Sequence, residues 1–280
     1  MKTEIILVPN STEASTPMLA SMDLSSHYKQ ILPEIQGVLA ESLAGGRKWL
    51  KKLQMQLPVL ALDHTKADQL RFDLEKIKGQ TWVYVTDAGY PCIADPGSVI
   101  VKMAREMNYK VHLLPGTSAI VAAIALSGLS SQRFSFHGYL PREESSLKAA
   151  LLDLERSSYP KDESWQKGAL QVFIEVPHRY TVMLRTCIQT LDDKTWLAVA
   201  REVGNEGQSI EVKTISAWKR ELKDLDEKKS EVAVFLLINE EKKAPSKATF
   251  EKGTSKILVK NQIKTQAKYP SSSKAKRFFN

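Results

Sequence analysis

Residues 81–119 read TWVYVTDAGYPCIADPGSVIVKMAREMNYKVHLLPGTSA, and the order of elements in this stretch decides the fold. Thr81 to Thr86 is β-branched and aromatic, bounded by Gly79 before it and Asp87-Ala88-Gly89 after it, which predicts a strand. Asp95-Pro96-Gly97 then predicts a helix start: Asp95 accepts from free backbone N–H groups, and Pro96 stands where a missing donor costs nothing. Tyr109 to Leu114 predicts a buried strand ending at Pro115-Gly116-Thr117-Ser118, and the apolar run Ala119 to Leu126 predicts the next helix. Two parallel strands ending in loops on one edge are where an open α/β sheet takes ligands. As ordinary βα turns the same loops would bind nothing, and the local sequence leaves both readings open.

Upstream, Glu4 to Val8 predicts a first strand ending at Pro9-Asn10, followed by a Ser/Thr-rich stretch and a helix with Pro17 at its start. Val38 to Ala40 is a short strand closed by Glu41-Ser42, and Gly45-Gly46 precedes a basic helix around Trp49 and Leu50. Val59 to Leu62 is a third strand, and Asp63-His64-Thr65 caps a helix that runs to about Ile77. This βα alternation calls for a mainly parallel sheet with helices on both faces. Beyond Pro115, strands are expected at 134–140, 170–176, 196–203, 210–215 and 231–238, with helices at 142–158, 180–191 and 217–225 and a loop over 159–167. The fold class is therefore α/β, with two α/β domains: residues 1–114 around a mainly parallel sheet and 115–240 around a mixed one. The boundary at Leu114 to Thr117 is short, so the domains should face each other across a cleft.

The formal net charge of +8 is unevenly placed. Residues 241–280 hold eleven Lys/Arg against Glu241 and Glu251, a net +9, which leaves −1 for residues 1–240. The basicity is a tail, expected to be flexible, and open to two readings: solvated and idle, or holding RNA phosphates without regard to sequence. No apolar run approaches the roughly 20 residues that cross a bilayer, and the start of the chain lacks a signal-peptide pattern, so a soluble, intracellular and cytoplasmic protein is expected. Cys92 and Cys187 form no metal-ligand or redox spacing, so neither a metal site nor a disulfide is expected. No GxGxxG or GxxxxGK[ST] occurs, which removes support for the usual dinucleotide and P-loop sites.

The stretches DAGYPCIADPG (87–97), LLPGTSAIVAAIALSGL (113–129), RFSFHGYLPR (133–142), FIEVPHR (173–179) and ARE (200–202) stand in the order and spacing of a known family. With them the chain resembles the tetrapyrrole methylase superfamily of S-adenosylmethionine-dependent methyltransferases, and within it the branch that methylates a ribose 2′-hydroxyl of small-subunit ribosomal RNA. The resemblance implies a homodimer, S-adenosyl-L-methionine as cofactor in a cleft between the two domains, and RNA of the ribosomal small subunit as substrate. It also implies cofactor contacts from Pro9, Asp87, Ala88, Gly89, Ile93, Ser118, Ala119, Glu175 and Ala200. Small residues permit close backbone approach, and the helix start after Gly116 offers N–H groups to a carboxylate. Asp87 or Glu175 could face a cationic sulfonium, or instead cap a helix or pair with Arg179.

The N-terminal third departs from that branch. Where the branch has Thr-Pro-Ile-Gly-Asn after the first strand, this chain has Pro9-Asn10-Ser11-Thr12; where it has Ala-Glu-Asp-Thr-Arg after the second, this chain has Ala40-Glu41-Ser42-Leu43, with Gly45-Gly46-Arg47 following. These departures keep open a small-molecule methyltransferase of the same fold and a silent RNA-binding dimer. A ribose hydroxyl benefits from a base; Glu41, Asp87, Glu175, His178 and Glu202 all stand at strand ends, and the sequence singles out none. Arg179 and Arg201 are better suited to gripping phosphate or a carboxylate than to proton transfer.

Overall fold

The computed structural model describes residues 2–10, 34–87, 89–95, 97–114, 116, 118–129, 132–160, 168–204, 207–221 and 232–240. The helix expected at Pro17, most of the 159–167 loop, and the basic tail lie outside the described residues, as does Ala88.

The first sheet is built from β1 (Glu4–Val8), β2 (Gly37–Ala40), β3 (Val59–Ala61), β4 (Thr81–Val85) and β5 (Lys110–Leu113), in the order β3-β2-β4-β1-β5. Every pairing is parallel. The central runs EIILV and TWVYV are buried on both faces, which parallel strands covered by helices require. Alternation divides them between two cores. Ile5, Leu7, Leu39, Trp82 and Tyr84 face Leu70 and Leu74 of α2 (Ala67–Glu75) and Ile100 and Met103 of α3 (Gly97–Glu106). Ile6, Val8, Val38, Val83 and Val85 face Trp49 and Leu50 of α1 (Leu43–Lys52).

The second sheet contains β6 (Phe134–Tyr139), β7 (Leu170–Glu175), β8 (Trp196–Arg201), β9 (Ser209–Thr214) and β10 (Ala233–Ile238), in the order β6-β7-β10-β8-β9. Only β6 and β7 run parallel, so this sheet is mixed, as expected. Its central strand AVFLLI is buried throughout. One face packs on α4 (Ala119–Ser127), the other on α5 (Glu144–Ser158), α6 (Tyr180–Thr190) and α7 (Ile215–Glu221), where Phe173 and Phe235 stack 5.2 Å apart.

Three local expectations are corrected. Among the described residues the strand after Tyr109 pairs with β1 alone and leaves Lys110, His112 and Leu113 exposed; it is an edge, and the apolar look of its sequence reflects one covered face. Gly45-Gly46 lies inside α1 rather than before it, because the helix presses onto the sheet: a β-carbon at Gly46 would fall 2.6 Å from Val59 Cγ1 and 2.9 Å from Ala40 Cβ. Asp63 does not cap α2. Its Oδ1 accepts from Thr65 N at 3.0 Å and closes a tight turn, and α2 begins later with Lys66 as its uncapped first boundary.

Candidate functional site

The C-terminal ends of β1, β2 and β4 are neighbours in the sheet, and the loops that leave them are bonded to one another. Asn10 and Gly89 exchange two backbone hydrogen bonds, of 2.9 and 2.7 Å. The Asn10 amide also donates to Thr86 O at 2.7 Å. Asp87 N donates to Glu41 Oε2 at 3.1 Å, and Ser42 Oγ donates to Asp87 Oδ1 at 2.7 Å while accepting from Gly45 N as the cap of α1. Each loop therefore holds another in place. The chain enters α4 close by: a β-carbon at Gly116 would meet Pro9 Cγ at 2.6 Å, and Ser118 caps α4 by accepting from Val121 N.

The loop from Gly89 to Gly97 is conformationally demanding. Gly89 has φ +84 with open space where a side chain would stand, and Cys92 and Ala94 adopt φ +71 and +58, unusual for residues with a β-carbon. Asp95 Oδ1 holds the loop by accepting from Cys92 N (3.0 Å) and Gly97 N (2.6 Å), which is the helix-start role read from the sequence. Burial, opposed by those two hydrogen bonds and reinforced by Glu41, keeps the Asp95 carboxyl above its ordinary value. Among the described residues, its Oδ2 and the hydroxyl of fully buried Tyr84 find no hydrogen-bond partner. Desolvation, then the Asp95 and Glu41 carboxylates, push the Tyr84 phenol far up. Backbone strain and unmet polar capacity in one place are the marks of a ligand site more than of a packed turn.

Pro9, Asp87, Gly89, Ser118 and Ala119 thus belong to one group of loops, with Ile93 exposed on the 89–97 segment. Glu175 and Ala200 stand on the second sheet, on either side of the start of β10, opposite Ala233 and Val234. Both are fully buried: Ala200 packs under α4, and Glu175 accepts from Val176 N at 2.9 Å and faces Arg179 Nη1 at 3.4 Å. The pairing with Arg179 weighed from the sequence is what the structure shows. His178 is exposed in a 3₁₀ turn (Pro177–Arg179), and Arg201 pairs with Glu211 at 3.1 Å. Sequence reasoning did not single out Asn10 and Ser42, which the structure bonds into this group of loops. Ser42 had a usable signal, a hydroxyl residue just before a helix. Tyr139, at the end of β6, is half exposed, and burial followed by Glu175 and Glu41 keeps its phenol above the ordinary value.

The family model for Tetrapyrrole (Corrin/Porphyrin) Methylases matches residues 19–218. The chain belongs to this family. The chain is 29% identical over 225 residues to "Ribosomal RNA small subunit methyltransferase I" of Xylella fastidiosa, covering 79% of each chain. It is 29% identical over 226 residues to the protein of the same name from Escherichia coli O157:H7, covering 79% of this chain and 75% of that one. Among solved structures, diphthine synthase aligns with TM-score 0.56 at 14% identity over 84% of this chain and 90% of the other. The methyltransferase CobJ aligns with TM-score 0.51 at 16% identity over 85% and 94%. At such identities the structures speak for the fold, which is that of the methylases. Family and relatives together make the chain an S-adenosylmethionine-dependent methyltransferase. The residues present suit that cofactor: Gly89 leaves room for it, and the Glu41 and Asp87 carboxylates favour a cation. Among the described residues no helix is long and apolar enough to cross a membrane. Both cysteines are free, and burial pushes the Cys187 thiol far up.

Proposed function

We propose that this methylase transfers a methyl group to a ribose 2′-hydroxyl of small-subunit ribosomal RNA. The observation that carries the reading is the match, over 79% of the chain, to relatives named for the methylation of that RNA. The site geometry supports it. S-adenosylmethionine, when bound, supplies a methyl group on a sulfonium, open to in-line displacement. The chain's part is then mainly to align and to shield. The loops after β1 and β4 and the first turn of α4 hold the cofactor, with Pro9, Asp87, Ala88, Gly89, Ile93, Ser118 and Ala119 as its contacts. Residues 1–114 and 115–240 act as two domains, and Glu175 and Ala200, both fully buried in the second sheet, support the cleft between them from behind and do not line it. The N–H groups that open α4 receive the cofactor's carboxylate, and Glu41 and Asp87 supply the negative field for its cationic end.

The methylase works as a homodimer in this reading. The sequence of α4, AIVAAIALS, is apolar all round, yet Val121 is 60% and Leu126 41% exposed, so one face is left for a second copy to cover. Residues 241–280 add sequence-independent affinity for RNA.

Labelled S-adenosylmethionine, incubated with the protein and separately with ribosomal small subunits, total RNA and a small-molecule extract, tests the acceptor. Label in the small-subunit RNA, recovered in a dinucleotide that resists alkaline hydrolysis, is the expected result. Label only in the extract would replace RNA with a small acceptor, the reading favoured by the departures at Asn10 and Ser42. Cofactor binding without any labelled acceptor would mark a silent protein.

A further inference from the structure

We propose that the exposed basic face of α1, Arg47 and Lys51, together with Arg142 beyond β6, grips the phosphate backbone of the RNA substrate. The proposal rests on the reading of the protein as an RNA methylase and assigns that reading a surface.

Helix α1, LAGGRKWLKK, carries four basic side chains and no acidic one. Its neighbours differ: α2 contains Asp68, Asp73 and Glu75, and Arg71 of α2 pairs with Glu106 of α3 at 3.2 Å. Among the described residues, Arg47 and Lys51 are exposed and have no ion-pair partner. They stand four residues apart, so their β-carbons are about 5–6 Å from one another and the two charges form one patch. Trp49 and Leu50 bury the opposite side of the helix in the sheet, which fixes the outward direction of that patch.

Position decides what the patch is for. Helix α1 begins at the ligand-facing edge of the first sheet, where its cap Ser42 is bonded to Asp87. Arg47 therefore lies about one helical turn from the candidate site. On the second sheet, β6 and β7 run parallel and end at one edge, and the segment after β6 is held there by the bond from Arg179 Nη2 to Pro141 O at 3.3 Å. Arg142 follows directly, exposed and likewise without an ion-pair partner among the described residues. The two sheets meet beside the site, where Gly116 stands against Pro9 after β1 and α4 then packs on Ala200 and Val234 of the second sheet, so the two basic elements rise from adjoining sheets. With residues 1–240 at a net charge of −1, these cations are a local feature and not part of a generally basic body. An RNA strand passing over this junction would bring a ribose to the site while its phosphates meet cations on either side.

The test compares the full chain with the variant Arg47→Gln, Lys51→Gln, Arg142→Gln by filter binding to a small-subunit rRNA fragment across a salt series. Each phosphate contact adds about 0.7 (single strand) to 0.9 (duplex) to the slope of log affinity against log salt. The variant should show a slope shallower by about 2 to 3 and an affinity at low salt lower by at least about tenfold. Affinity for S-adenosylhomocysteine and the melting temperature should be unchanged, and the variant Arg47→Lys, Lys51→Arg, Arg142→Lys should restore the slope. A charge-matched variant, Lys78→Gln, Lys102→Gln, Arg105→Gln, removes exposed cations away from the site. If it flattens the slope equally, net charge alone explains the binding and the proposal falls. If wild type binds RNA and the first variant matches it, the surface is wrong and the RNA reading stands. If wild type binds the cofactor but no RNA, both fall. Equal loss of poly-glutamate binding in place of RNA would make the face a dock for acidic protein, which also overturns the proposal.

Discussion

At the strand ends of the first sheet Glu41 and Asp87 accept from neighbouring loops and Asp95 leaves one oxygen without a partner among the described residues, whereas Glu155, behind the second sheet, is ringed by donors. Glu155, on α5 and 4% exposed, accepts from Asp192 N at 2.8 Å, from the Thr195 hydroxyl and from the Tyr159 hydroxyl; Thr195 in turn accepts from the Asn239 amide at 2.9 Å. Asp87 is exposed, and Asp95 leaves Oδ2 unmet. A buried carboxylate that has found its partners fastens the turn before β8 to the end of β10. Asp95, with one oxygen unmet among the described residues and strained backbone at Cys92 and Ala94 beside it, is held ready for something else.

The contrast is tested hardest by Glu155→Ala. It strands three donors in the core and should cost about 3 kcal/mol of stability by urea unfolding. A loss under about 1 kcal/mol would mean the network is solvated and the contrast empty. Asp87→Ala should do the reverse: stability changes by about 1 kcal/mol or less, while affinity for S-adenosylhomocysteine in calorimetry falls about tenfold, the equivalent of roughly 1.4 kcal/mol. Normal affinity in this variant would remove Asp87 from the site.

Two smaller effects separate the regions by pH. Burial raises the Asp95 carboxyl in the folded state, so its contribution to stability is full below the ordinary value of 3.8 and is lost as pH rises through the higher folded value. Relative to Asp95→Asn, the wild type should therefore lose ground from acid toward neutral pH in unfolding curves. Glu143, which caps α5, has the opposite sign. Hydrogen bonds from Ser145 and then Ser146 hold its carboxyl at about 2, so its contribution is present above 4.5 and lost as pH falls through about 2. Amide exchange at Ser145 and Ser146 should quicken in that range, and in Glu143→Ala it should be fast at every pH. An Asp95 profile that resembled that of Glu143 would erase the distinction between the two sheets.

Much of the fold was legible because its signals are local. The strands at 81–85 and 4–8 announce themselves as β-branched and aromatic or aliphatic runs, the first bounded by Gly79 and Asp87 to Gly89 and the second closed by Pro9, and Asp95 bonds to backbone only two and three residues away. Gly45-Gly46 misled for the opposite reason: glycine pairs read locally as breaks, and only the press of α1 onto Val59 and Ala40 explains them inside a helix. The edge position of β5 was equally hidden, since a strand's own residues do not state how many neighbours it will have.

By itself, then, the sequence determined the α/β class, the parallel and mixed character of the two sheets, and the loops Asp87 to Gly97 and Pro115 to Ala119 as the candidate site. Tertiary structure alone decided that Asn10 locks onto Thr86 and Gly89, that Ser42 holds Asp87, and that Glu155 rather than Glu175 anchors the larger buried polar network. Those contacts join residues 37 to 79 positions apart. Helix, strand and turn preferences act within a few residues, and such distant pairs exist only once the strands have taken their order in the sheet.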